Sequence, residues 1–182
     1  MTGLVFVRFS KAKAKLIFAI HPVVMRSGGH TRLVIRIGNG RMNSLNDASV
    51  RLTTLVDVIT PDGRRFRRME DLKLQRDNLP FFPLTWSILH DVIEESPLQA
   101  LRTMTEEELN ASNIRFMLNV TARDPSLGAQ VYASHAYGHN DIKLDMRYAD
   151  AITSIGENHS VADMRKISDI EHDTGESLAS AS

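Results

Sequence analysis

The stretch "RLVIRIGNGRMNSLNDASVRLTTLVDVI", residues 32–59, alternates between apolar and polar twice, on either side of a polar turn. In its first run Leu33, Ile35 and Ile37 fall on one side, with Arg32, Val34 and Arg36 on the other. In its second run Val50, Leu52, Thr54, Val56 and Val58 share a side. A period of two is what a half-buried β-strand requires, because successive side chains point to opposite faces. The Gly and Asn residues of "IGNGR" separate the two runs.

The pattern extends outward from there. "NIRFMLNV" aligns Ile114, Phe116, Leu118 and Val120, and Trp86 alternates with Leu84 and Ile88 as core packing does. Turn-forming clusters punctuate the runs at "RSGGHT", "TPDGRR", "ARDPSLG" and "YGHND". Asp62–Gly63 between two strand-like runs is a hairpin signal. The spacing predicts roughly eight to ten short strands folded as one β-sandwich, an all-β class. One short helix is predicted in "TEEELNAS", where Thr105 stands three residues before Glu108 at capping-box spacing. From Ile170 the chain reads "IEHDTGESLASAS", poor in large apolar groups, and is expected to be disordered.

Length and composition narrow the function classes. The 182 residues suffice for one domain with tails, and 42% hydrophobic residues suffice for a core. No apolar run approaches the roughly 20 residues needed to span a bilayer. The opening "MTGLVFVRFSKAKAKLIFAI" places its apolar part before its charges, the reverse of a signal peptide. The absence of cysteine excludes disulfides, thiolate metal sites and thiol nucleophiles, and fits a reducing compartment. The formal net charge is zero, but residues 1–76 hold 15 Lys/Arg against 5 Asp/Glu, and residues 77–182 hold 7 against 17. Either the fold mixes the halves, or basic and acidic surfaces are kept apart for a purpose.

A search for reaction chemistry yields little. His135 and His139 stand four apart with Asp141 nearby, a spacing that clamps a metal when it lies on a helix. The alternation of "VYASHAYGHNDI" places them on a strand and a loop instead, so a metal-dependent hydrolase is the least favoured reading. No nucleophile elbow, phosphate loop or dinucleotide fingerprint is present. Glu94 and Glu95 are adjacent, so on a strand they point to opposite faces. The expectation is a protein that is not an enzyme and carries no cofactor or metal.

The basic cluster after the opening apolar residues says more. If helical, Arg8, Lys11 and Lys15 share a face; if extended, Lys11, Lys13 and Lys15 do. Either way a positive patch sits beside the apolar Leu4–Phe9, and each such charge gains roughly 1 kcal/mol near an anionic leaflet. Nucleic acid is not the expected partner, since no aromatic residues interleave the patch.

The order of these motifs resembles the cytoplasmic domain of inward-rectifier potassium channels, the prokaryotic members in particular. "TGLVFVRFSKAKAKLIF" resembles the end of the inner pore helix and its basic linker. "RLVIRIGNGRMNSLNDASVRL" resembles the family's strand pair with its Asn–x–Arg turn and following acidic residue. "PLTWSILHDVIEESPL" resembles its His–x–Ile–x–x–x–Ser–Pro–Leu stretch, and "HAYGHNDIKLDMRYADAI" its Tyr/His-rich strand before the Arg–Tyr pair. The resemblance covers about residues 2–170.

It implies an immunoglobulin-like β-sandwich with one or two short helices over 16–169, preceded by an inner-helix end and basic linker at 1–15 and followed by a tail at 170–182. It implies four copies around an axis, forming a vestibule through which potassium passes on the cytoplasmic face of the inner membrane. Asp47, Asp77 and Asp124 match acidic pore-lining positions that attract cations, including polyamines or magnesium. Pro125 stands where an acidic residue is often found. Gly128 falls near the narrow loop at the vestibule top. Arg8, Lys11, Lys13 and Lys15 fall where the family binds anionic phospholipid, phosphoinositides among them, without the family's Arg–Pro–Lys pattern. Ser96, Pro97 and Leu98 match a gating turn placed close to a subunit interface. A selectivity filter and pore helix are missing from the sequence, so the expected activity is regulatory, coupling lipid and ligand signals to a pore, and the fragment is expected to be soluble. The alternative is a free-standing soluble β-sandwich that binds a protein partner.

Overall fold

The structure, a computed structural model, describes residues 15–155 and 159–174. In chain order its strands are β1 (Leu16–Phe18), β2 (Val23–Ser27), β3 (His30–Asn39), β4 (Leu45–Ile59), β5 (Arg65–Asp71), β6 (Asn78–Phe82) and β7 (Thr85–Asp91). After a 3-10 turn at Gln99–Arg102 and helix α1 (Glu106–Ala111) come β8 (Arg115–Asp124), β9 (Ala129–Gly138), β10 (Lys143–Leu144) and β11 (Met146–Tyr148). The described chain ends with β12 (Ile152–Ile155), β13 (His159–Ala162) and β14 (Ile170–His172).

Two sheets form the expected all-β sandwich. In one, β3 is flanked by β1 and β2 along one edge and by β7 along the other, and β10 joins β2 in parallel. In the other, β4 is flanked by β8, with β9 beyond it, and on its opposite side by β5 and β6 end to end. The alternation decides which face goes inward: Leu33, Ile35 and Ile37 from one sheet meet Val50, Leu52, Phe116, Leu118 and Val120 from the other, all buried. Each such side chain contributes about 1.5–3 kcal/mol on burial. Trp86 packs edge-on to Phe82 with ring centroids 5.9 Å apart, within the same core.

The turns follow their residue types. Gly63, at φ 80°, closes the β4–β5 hairpin by donating its N–H to the Thr60 carbonyl. Thr105 and Glu108 form the predicted capping box at the start of α1. Fourteen strand segments among the described residues exceed the number predicted, and the surplus consists of runs of two to four residues. Runs that short hold no full alternation to detect. One correction concerns the tail. Ile170–His172, expected to be disordered, pairs antiparallel with Met146–Tyr148. The connection leading to it crosses β3 where Gly38 leaves room, since a Cβ there would sit 2.6 Å from the Met164 sulfur. The rest of that tail, 175–182, lies outside the described residues.

Candidate functional site: acidic strand, buried turn and chain entry

Asp47 sits in the middle of a β-bulge. β4 pairs with β8 at Asn46–Arg123 and again at Ser49–Thr121, so three steps on β4 oppose two on β8. The extra residue is accommodated at Asp47, whose φ of 48° lies in the left-handed region. Aspartate tolerates that region better than most residues do, and a bulge re-aims the side chain it carries. The carboxylate is exposed. Asp77 is also exposed, and the structure brings it alongside: its carbonyl accepts the Val50 N–H at 2.8 Å, three residues from Asp47 on the same strand. Asp77 borders an open depression shared with Arg51, Asp71, Lys73, Asn119 and Thr121.

Asp124 is elsewhere in kind, and its expected place on a water-filled path is corrected here. Its side chain is 0% exposed. It pairs with the Arg41 guanidinium and accepts hydrogen bonds from Asn43 Nδ2 at 3.1 Å, Ser126 N at 2.9 Å and Ser126 Oγ at 2.6 Å. The Ser126 hydroxyl bond outweighs burial and holds the carboxyl below the usual carboxylate range. A carboxylate so enclosed staples the 40–44 loop to the β8–β9 turn and has no face left for a passing ion. Gly128 ends that turn at φ 59° with nothing within 4 Å of a built Cβ, so backbone conformation rather than space asks for glycine there.

The Ser96–Leu98 turn is built around a residue that pattern reading did not single out. His90, at the end of β7, is buried. Its Nδ1 lies 2.8 Å from the Lys73 carbonyl, which only accepts, so Nδ1 carries the proton. Its Nε2 then accepts from the Ser96 hydroxyl at 2.7 Å, and the same oxygen accepts the Leu98 N–H at 3.1 Å. Leu98 is buried and Pro97 half-buried. The signal was in the sequence: a histidine six residues before the serine, inside the resembling motif.

The chain enters the sandwich at Lys15, which is exposed and whose carbonyl accepts the Gly40 N–H at 2.9 Å. Arg8, Lys11 and Lys13 lie outside the described residues. Behind Lys15 the segment is held by aromatic residues from the far end of the chain. Phe18 stacks on His135 at 5.2 Å, and His135 meets the edge of Tyr137 at 4.5 Å. The Tyr137 hydroxyl donates to the Ala19 carbonyl at 2.8 Å, and the Tyr148 hydroxyl donates to the His21 carbonyl. Burial pushes both phenols above their ordinary value, so they remain donors. Arg36 lies over the Tyr148 ring at 4.5 Å. His135 thus belongs to an aromatic stack, while Asp141 accepts the Gly138 N–H at 2.7 Å. Among the described residues no three metal-ligating side chains converge.

A bacterial relative, the inward rectifier potassium channel Kirbac3.1 of Paramagnetospirillum magnetotacticum, is 28% identical over 168 residues. The match covers 92% of this chain and 56% of that relative, so the chain spans little more than half of its length. A solved structure, the sporulation control protein Spo0M of Bacillus subtilis, overlaps at a TM-score of 0.33 and 8% identity, covering 74% of this chain and 50% of that one. The family described as the inward rectifier potassium channel C-terminal domain matches residues 16–181, and the chain belongs to that family.

Proposed function

We propose that this chain is the cytoplasmic regulatory domain of an inward-rectifier potassium channel, assembling as four copies that enclose a cation-attracting vestibule beneath a membrane pore. The observation that carries the reading is Asp47: an exposed carboxylate on a bulge, in a member of this family. Fourfold repetition turns one Asp47 into four carboxylates around a wet path, and Asp77 adds a second set close by. Rings of that kind select cations and raise their local concentration, an effect that salt weakens. Potassium, polyamines and magnesium are the species such a ring draws in. Arg8, Lys11, Lys13 and Lys15 hold the domain against anionic phospholipid on the cytoplasmic face of the membrane. The Ser96–Pro97–Leu98 turn sits near the subunit interface, and Gly128 in the narrow loop, so movement of the domain is passed toward the pore. The enclosed Asp124 braces that loop and is left out of the ion path.

The experiment is light scattering combined with spermine titration of the purified chain. A fourfold mass at high protein concentration and weaker spermine binding by Asp47→Asn are expected. Spermine affinity unchanged by Asp47→Asn, or by added salt, overturns the vestibule assignment.

A further inference from the structure

The β2–β3 hairpin turns through Gly28 and Gly29, both in the left-handed region at φ 58° and 77°, with Ser27 paired to His30. That two-residue turn is the kind glycine favours. Between its tip and the 3-10 turn at Gln99–Arg102 lies an open cavity of about 720 Å3. Acidic and basic residues are equally numerous in this chain, yet none of the residues lining the cavity is acidic. Ser27, His30 and Thr31 line it from the hairpin, and Gln99 and Arg102 from the turn. The side chains of Ser27, His30, Thr31 and Gln99 make no hydrogen bond within the described residues, so their donors are open to a ligand.

The two arginines differ in role. Arg26 is committed, donating to both carboxylate oxygens of Asp145 and to the Met104 carbonyl. Arg102 is the available cation. Glu94 stands 3.6 Å from it, beyond hydrogen-bond length, with a side chain 83% exposed. An ion pair that open to water holds little. Glu94 borders the neighbouring depression, which shares His30, Thr31 and Arg102 with this one. Asp91 in that depression is already held by Arg32 and Gln75. A guanidinium presents two N–H groups to two oxygens of one oxyanion, and hydroxyl, carboxamide and imidazole groups supply donors for the rest. The cavity is larger than a bare ion needs and falls within the roughly 300–1,000 Å3 of small-molecule sites. It lies at the His30 end of β3, whereas Leu16 enters at the Asn39 end. The ten residues of β3 separate the two by about 30 Å. A soluble ligand therefore fits this place better than a lipid headgroup.

We propose that this cavity binds the phosphate group of a small soluble phosphomonoester, with Arg102 as its principal cation. The ligand bridges the hairpin to a turn that grows directly out of the Ser96–Leu98 turn, since the Gln99 N–H donates to the Ser96 carbonyl at 3.0 Å. It thus supplies a ligand for the regulatory reading above, but the site is built within one copy and does not depend on the ring. The experiment is amide NMR of the full chain titrated with glucose 6-phosphate, AMP, inorganic phosphate and glucose. Saturable shifts at Ser27–Thr31 and Gln99–Arg102 are expected, at least one phosphomonoester binding more tightly than inorganic phosphate, and none with glucose. Arg102→Gln should weaken binding about tenfold or more. Glu94→Gln, which removes the competing carboxylate, should tighten it. Both substitutions are at exposed positions, and unmoved amides across β4 and β8 check that the fold is intact. Shifts that persist in Arg102→Gln, or phosphomonoesters that bind no better than inorganic phosphate, overturn the site. Saturable binding by a chain that stays monomeric upholds it while the ring fails, and a tetramer without such shifts does the reverse.

Discussion

His90 and Ser96 hold a turn together from inside the protein: the imidazole Nε2 and the hydroxyl oxygen lie 2.7 Å apart, and both residues are buried. The ring ties β7 to the Lys73 carbonyl on one side and to the Ser96–Leu98 turn on the other. Ser96→Ala leaves both the imidazole nitrogen and the Leu98 N–H without a partner. An unsatisfied buried polar group costs about 1–3 kcal/mol. Urea unfolding should therefore show a lower midpoint at unchanged slope, with Ser96→Thr recovering part of the loss. A midpoint equal to wild type for Ser96→Ala would mean that the hydroxyl is not a structural partner.

Asp124 makes stability depend on acid. Its folded carboxyl is held below the ordinary carboxylate range, mainly by the hydrogen bond from the Ser126 hydroxyl. A group whose pKa is depressed on folding contributes stability above its unfolded value and loses it as pH falls toward the folded one. The contribution is therefore full at neutral pH and fades below about pH 4 to 5. Unfolding midpoints measured from pH 7 down to pH 3 should fall for the wild type. Asp124→Asn should start lower at pH 7 and decline less steeply. Parallel curves for the two proteins would show that Asp124 does not supply the slope.

What sequence could tell about this fold depended on how far apart the deciding residues lie. Leu33, Ile35 and Ile37, or Phe116, Leu118 and Val120, declare their inward face within six residues, because strand geometry alone sets the period. Thr105 and Glu108 do the same for a cap. Asp124 was misplaced for the opposite reason. The family resemblance set it on an ion path, whereas its burial depends on Arg41 and Asn43, more than eighty residues earlier. The seat of the entering chain was hidden likewise. Nothing near Phe18 announces His135 as its stacking partner, since the two meet only when β1 and β9 are already in place. His90 was within reach, six residues from Ser96, but burial is what gives that spacing meaning.

Gly40 is the tightest point of the chain entry. A Cβ built there lies 2.8 Å from the Lys15 carbonyl oxygen, a backbone atom that cannot swing aside. Gly40→Ala must push the entering segment off the β3 edge, breaking the bond from the Gly40 N–H to that carbonyl. A loss of about 1–3 kcal/mol is expected from overpacking. Backbone amide exchange should show the damage as local, with faster exchange at Leu16–Phe18 and little change across β4 and β8. Uniform protection across β1 in the variant would show that the close approach is not needed to seat the chain.

The lysines that lead up to Lys15 in the sequence carry the lipid prediction. Each positive charge near an anionic surface gains roughly 1 kcal/mol, so three together are worth about two orders of magnitude in affinity. Co-sedimentation with vesicles containing anionic phospholipid should detect binding by the wild-type chain and a large loss when Lys11, Lys13 and Lys15 are all changed to Gln. Raising salt should weaken wild-type binding in the same direction, since exposed charges are screened over about 8–10 Å at ordinary ionic strength. Asp47→Asn separates this effect from the ion path: it should leave vesicle binding unchanged while altering polyamine affinity. If the triple glutamine variant sediments with anionic vesicles as fully as wild type does, the basic linker is not the lipid contact, and the apolar residues before it become the segment to test.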